Sequence, residues 1–151
     1  MTTTALKSEI RELFKKIVMQ HSIRSISSIL QLNNEQTHVL NYAPSYQRNY
    51  IWTKVKGTYL IETILLHGEI PPIVVYIKGD SWEIIDGRQR LETIKLYIND
   101  GFALQAPGLD RLWILAGKKF SQLDENIKER IRDTRLRLII IQNPGEENIT
   151  P

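Results

Sequence analysis

The stretch Glu83-Ile84-Ile85-Asp86-Gly87-Arg88-Gln89-Arg90-Leu91 constrains this chain more than any other. It begins apolar and β-prone, breaks at Asp86-Gly87, and resumes with Leu91, Ile94 and Ile98 at the spacing of one helical face. A strand therefore runs into a helix with almost no loop. Open α/β sheets take ligands at the carboxyl ends of their strands. A helix N-terminus at that place presents unpaired N–H groups and positive dipole to an anion, and Gly87 allows the backbone to come close to it. Arg88 and Arg90 put two cations in the first turn, where the macrodipole disfavours each by about 0.3–1 kcal/mol. A negative ligand, most simply a phosphate, accounts for both. The local alternative is that Asp86 caps the helix and pairs with Arg90, leaving Arg88 as an exposed charge.

The rest of the chain divides by period and punctuation. Residues 5–20 read as an amphipathic helix with Leu6, Ile10, Leu13, Phe14, Ile17 and Val18 on one stripe, a solvated basic face, and His21 at its end. Ser25 to Leu32 reads as a short helix, and Val39-Leu40 as the start of a short strand. Tyr46, Tyr50 and Trp52 then alternate with Gln47, Arg48 and Asn49 without a clean period. Rings that stack beside groups that donate suit a base and a phosphate together. The other reading is a loop whose rings plug the core edge. Thr53 caps a helix that buries Val55, Tyr59, Leu60, Ile64 and Leu65 and ends at Gly68, with His67 beside the C-terminal dipole. Within it, Glu62 reads as an exposed acid or as a carboxylate turned into the site.

Ile73 to Ile77 and Ser81 to Ile85 are strands joined by Lys78-Gly79-Asp80, so a hairpin delivers the chain to Asp86. The following helix runs to Asn99 and ends at Asp100-Gly101. Leu109 to Leu115 is a short strand or a packed loop. Ser121 to Asp124 opens a last helix with a capping-box pattern, and Arg135 to Ile141 is a strong strand.

Composition bounds the function. The 151 residues suit one domain of an ordinary globular kind. Net charge is only +3, and residues 44–100 carry seven Lys and Arg against seven acids, so bulk electrostatics does not indicate nucleic-acid binding, although a folded patch remains open. The absence of cysteine excludes disulfides, thiolate catalysis and Cys-based zinc sites. No apolar run reaches the ~18 residues of a membrane span, and the N-terminus lacks a signal-peptide core. A cytoplasmic protein is expected.

Tyr46-Gln47-Arg48 with Trp52, Leu60 to Leu65, Ile70-Pro71-Pro72-Ile73, Ile85 to Leu91 and Lys119 to Leu123 resemble, in this order, the N-terminal domain of GmrSD-type restriction endonucleases. That family carries an Asp-Gly-Gln-Gln-Arg hallmark, and Arg88 stands here where Gln is usual, adding a charge. The resemblance implies an α/β fold of mixed α+β kind, a ParB/sulfiredoxin-like domain with a small mixed sheet and flanking helices. It divides the chain into an N-terminal helix (1–22), the family-like domain (23–142) and a polar tail (143–151) that is expected to begin a linker.

It further implies a nucleoside triphosphate with Mg²⁺ as ligand, bound and hydrolysed to regulate bacterial attack on invading DNA. DNA is reached through the full-length protein or a complex, self-association is left open, and no membrane is involved. Cleavage belongs in that family to a C-terminal HNH-type domain, so no independent nuclease activity is expected. Carried over residue by residue, Gly87 and the N–H groups after it cradle phosphate, and Arg88 and Arg90 neutralise it. Asp86 holds Mg²⁺ through water or orients the attacking water, and Gln89 positions that water or a phosphate oxygen. Tyr46, Gln47 and Arg48 form the opposite wall, and Trp52 packs beside the site. The alternative function is a DNA-binding or protein-interaction module that uses the Arg pair on DNA phosphate without turnover.

Overall fold

The computed structural model describes residues 2–32, 40–41, 52–79 and 81–143. In chain order the elements are α1 (Thr3–Lys16), β1 (Val18–Ser25), α2 (Ile26–Gln31), β2 (Leu40–Asn41), α3 (Lys54–Leu65), β3 (Ile73–Lys78), β4 (Ser81–Asp86), α4 (Arg88–Ile98), α5 (Glu125–Asp133) and β5 (Arg135–Gln142). Three short 3-10 turns lie between α4 and α5. The strands form one mixed sheet in the order β1-β5-β3-β4-β2. The β1/β5 and β3/β4 pairs are antiparallel, and the β3/β5 and β2/β4 pairs are parallel.

Alternation decides which strand residues face the helices. Val75 is opposite Ile84 on one side and Ile140 on the other, and Ile73 is opposite Leu138. All five are buried. They join Ile61, Ile64, Leu91, Ile94, Tyr97 and Ile131 of α3, α4 and α5 in one core. The expected hairpin is present, with Asp80 outside the described residues. Leu109 to Leu115 is a loop that ends in one 3-10 turn, Trp113–Leu115, not a strand.

The N-terminal reading needs correction. The helix stops at Lys16, and Val18 to Ser25, His21 included, form a strand in place of the last helical turn and its cap. Each of its eight residues has a partner on β5, from Val18 opposite Gln142 to Ser25 opposite Arg135. The stripe that suggested a longer helix ends in the β-branched pair Ile17-Val18, which a pleated edge accommodates better than a helix does. The described side chains of α1, Thr3 to Leu13, are all exposed.

Helix ends follow the local chemistry closely. Ser25 Oγ accepts the Ser28 N–H at 3.1 Å, and Thr53 Oγ1 accepts the Lys56 N–H at 3.1 Å. At the C-terminus of α3 the left-handed residue is His67 (φ 57°), not Gly68, while the Gly68 N–H reaches the Thr63 carbonyl at 2.8 Å. Helix α4 ends the same way, with Asp100 at φ 62° and the Gly101 N–H on the Leu96 carbonyl at 2.8 Å. The last helix begins at Glu125, one turn later than its sequence pattern predicts. Residues Phe120–Gln122 form a 3-10 turn closed by the Gln122 side chain on the Lys119 N–H at 2.8 Å.

Candidate functional site

The strand-to-helix turn has the form its residues dictate. β4 ends at Asp86, Gly87 takes φ 94°, and Leu91 N–H makes the first α4 bond, to the Gly87 carbonyl at 3.0 Å. A register shift between Val74 and Val75 leaves Ile85 unmatched beside the turn, so β4 bulges just before Asp86. Bulges of this kind re-aim the residue that follows.

Gly87 is required by the fold itself. A Cβ there would lie 2.5 Å from Ile73 Cδ1 and 3.2 Å from Ile73 Cα. The close approach is to β3, which is a sufficient reason for glycine without any ligand. Gly87, not Asp86, is the cap of α4. Asp86 is exposed, its Oδ1 accepts the Gly87 N–H at 3.0 Å, and no ion pair joins it to Arg90 among the described residues.

The two arginines are drawn inward. Arg88 is only 7% exposed, with Nε 3.4 Å from Glu92 Oε1. Arg90 is half-buried, and its Nη2 donates to the Pro72 carbonyl at 2.9 Å, tying α4 to the entry of β3. Arg90 Nε and Glu92 Oε2 are buried with no hydrogen-bond partner among the described residues. Such orphaned polar atoms are unusual in a folded interior. They mark a polar cluster that is only partly satisfied.

Around the turn lies a cleft of about 300 Å³ lined by Trp52, Ile85, Asp86, Gly87, Arg88, Gln89 and Arg90. A second cleft of about 230 Å³ is mainly apolar and includes Trp52, Lys56, Tyr59, Leu60, Pro71 and Arg90 in its wall. Trp52 and Arg90 line both, so a polar and an apolar compartment adjoin. Trp52 is thus a wall of the site and not only packing beside it. Lys56 Nζ lies 4.4 Å from the centre of its ring. A larger cleft of about 730 Å³, between His67 to Ile70 and Asp133 to Arg137, shares Glu69 and Ile70 with the apolar cleft but has none of the turn's residues in its wall. Its wall includes no helix N-terminus, so the chemistry of an anion favours the smaller site.

The structure therefore brings Asp86, Gly87, Arg88, Gln89 and Arg90 together with Trp52. Tyr46, Gln47 and Arg48 lie outside the described residues. Among the described residues no three His, Asp or Glu side chains gather as a metal-binding group. Magnesium keeps several waters and is commonly held by one or two carboxylates with phosphate oxygens. An exposed Asp86 next to two cationic side chains and a helix N-terminus fits that mode.

Sequence reasoning missed the carboxylate that shapes the neighbouring loop. Glu62 is neither exposed nor turned into the cleft. It is 3% exposed and accepts the N–H groups of Leu112 at 2.8 Å, Arg111 at 3.0 Å and Asp110 at 2.9 Å. Burial alone would raise its carboxyl. The N–H groups of Leu112, Arg111 and Asp110, with the Arg111 charge, hold it below the ordinary 4.5. One turn earlier, Thr58 Oγ1 accepts the Gln105 N–H at 2.9 Å. The available clue was a pair of polar residues four apart inside the apolar stripe of α3.

These features define a small mixed α/β domain whose anion-suited cleft opens where a central hairpin passes into a helix. The family model described as the N-terminal domain of GmrSD restriction endonuclease matches residues 26–149, and the chain belongs to that family. Neither the curated proteins nor the solved structures give a match. Among the described residues no helix is long and apolar enough to cross a membrane.

Proposed function

We propose that this domain binds a nucleoside triphosphate with Mg²⁺ at the α4 N-terminus and hydrolyses it. Turnover would license attack on DNA, in the bacterial cytoplasm, by a further domain or a partner. The observation that carries the reading is the adjoining pair of clefts. Their shared wall is Trp52 and Arg90, with cations and a helix N-terminus on one side and an apolar surface on the other. A phosphate chain suits the first compartment and a flat base the second.

This chain's residues divide the work accordingly. The first-turn N–H groups of α4 and the Arg88 and Arg90 side chains neutralise phosphate oxygens. Asp86 holds the metal through water, and Gln89 orients the attacking water. Bound Mg²⁺ would add neutralisation of charge developing between the phosphates. Tyr59, exposed beside Trp52, offers a ring to the base.

The test is thermal melting with each nucleoside triphosphate and Mg²⁺. A ligand at a hundredfold its Kd stabilises by about 2.7 kcal/mol. Asp86→Asn sits on an exposed side chain, so it should melt like the parent without ligand and lose the metal-dependent part of the shift. No shift with any triphosphate would overturn the reading. If Arg88→Ala then weakened DNA retention instead, the Arg pair would be assigned to DNA phosphate.

A further inference from the structure

Arg88 and Glu92 form an ion pair from which the helix itself gains little. They stand one turn apart at the start of α4, with Arg88 Nε 3.4 Å from Glu92 Oε1. Their side chains are largely out of water, 8% and 21% exposed. A helix favours the acid on the N-terminal side of such a pair and disfavours a cation in its first turn. Both preferences are reversed here. Taking two charges out of water is offset only by excellent geometry and full hydrogen bonding. One contact at 3.4 Å falls short of that, and Glu92 Oε2 is buried with no hydrogen-bond partner among the described residues. Local stability therefore does not account for the pair.

Its direction does. Helical side chains lean toward the N-terminus of their own helix. Glu92 leans back onto Arg88, and Arg88 leans past the first turn. Arg88 is in the wall of the cleft at the turn, whereas Glu92 is in the wall of neither adjoining cleft. The carboxylate stands behind the guanidinium and takes its Nε edge. Among the described residues no other hydrogen bond holds the Arg88 side chain. The Nη pair of the fork is left for an anion, and a guanidinium can bond a phosphate through two parallel N–H groups. A fork already held by one edge also loses less rotamer freedom when it binds.

We propose that Glu92 is a positioning residue, which holds Arg88 in the cleft with its Nη edge toward the phosphates and does not touch the ligand. The inference rests on the reading of this cleft as a triphosphate site and deepens it. The sign of the charge separates it from a merely structural role. A carboxylate behind the cleft wall repels a phosphate chain. Without a positioning duty, loss of that charge would leave binding unchanged or tighten it. With one, the same loss weakens binding, because Arg88 is released.

The test titrates the chain by calorimetry with the Mg²⁺ complexes of ATP, CTP, GTP and UTP. Melting without nucleotide checks the fold of each variant. Glu92→Met, which keeps the stem and lacks an acceptor, takes the place of Glu92→Ala if the latter does not fold. Whichever nucleotide the parent binds, Glu92→Ala should bind it about tenfold or more weakly, the scale of a misplaced charged donor. Glu92→Gln keeps an acceptor for Nε and should recover most of that loss. In an Arg88→Ala background Glu92→Ala should cause no further loss, since its effect passes through Arg88. Parental or tighter binding by Glu92→Ala, or an equal loss in the Arg88→Ala background, would overturn this role and leave the triphosphate site standing. No binding of any of these nucleotides by the parent would overturn both.

Discussion

The Glu62 carboxylate accepts the Leu112 N–H at 2.8 Å across fifty residues of chain, and this bond with its two neighbours fixes the loop that α3 carries. The tie has a direct thermodynamic consequence. Removing an acceptor from buried donors costs about 1–3 kcal/mol per stranded group. Glu62→Ala is expected to lower stability by about 3 kcal/mol at neutral pH, read from urea midpoints.

The same residue predicts a pH dependence. Its folded carboxyl lies below the ordinary 4.5, so the unfolded chain takes up the proton first as pH falls. The stabilisation is complete well above 4.5 and is lost as pH drops through the lower folded value. The stability gap between wild type and Glu62→Gln should therefore narrow on acidification from pH 6 to about pH 3, by urea titration at each pH. A gap that widened there would contradict the assignment.

Gly87→Ala tests the strand-to-helix turn. The substitution meets a left-handed backbone and a Cβ position 2.5 Å from Ile73 Cδ1. A left-handed non-glycine residue costs about 1–2 kcal/mol and overpacking a further ~1–3 kcal/mol. A loss of about 3 kcal/mol is expected, together with loss of any nucleotide-induced shift, since both helix entry and cleft are displaced.

Arg90 has two duties, so its variants should separate them. Arg90→Ala removes the bond to the Pro72 carbonyl, and a hydrogen bond from a charged donor contributes about 1.5–3 kcal/mol. The variant should melt lower even without ligand. Arg90→Lys should recover part of the melting temperature but little nucleotide binding, because an ammonium lacks the planar fork of the guanidinium.

His67→Gly is expected to stabilise the domain. His67 holds φ 57° at the end of α3, a conformation glycine takes without strain. The strain is about 1–2 kcal/mol, less the greater freedom of glycine in the unfolded chain. A gain of about 0.5–1 kcal/mol in denaturant unfolding is the expected outcome.

Much of the site's frame was legible in the residues themselves. The hairpin from Ile73 to Asp86, the break at Gly87 and the helix from Arg88 are set by period and turn chemistry within a few residues of each other. Thr53 and Ser25 likewise marked helix starts correctly. These features depend on backbone propensity and local hydrogen bonds, which neighbouring residues supply. The resemblance in the Ile85 to Leu91 stretch also matched the family to which the chain belongs.

Tertiary structure decided what depended on distant partners. Val18 to Ser25 became a strand because β5, more than a hundred residues on, offers a full edge for pairing. Glu62 became a buried anchor because residues 110 to 112 turn their N–H groups onto it. Arg90 became a tie to Pro72, and Trp52 a wall shared by two clefts, because β3 and α4 meet beside the turn. A sequence pattern reports which way a residue prefers to face along its own element. It does not report which unpaired backbone groups another segment will bring, and a buried charge is placed by those groups.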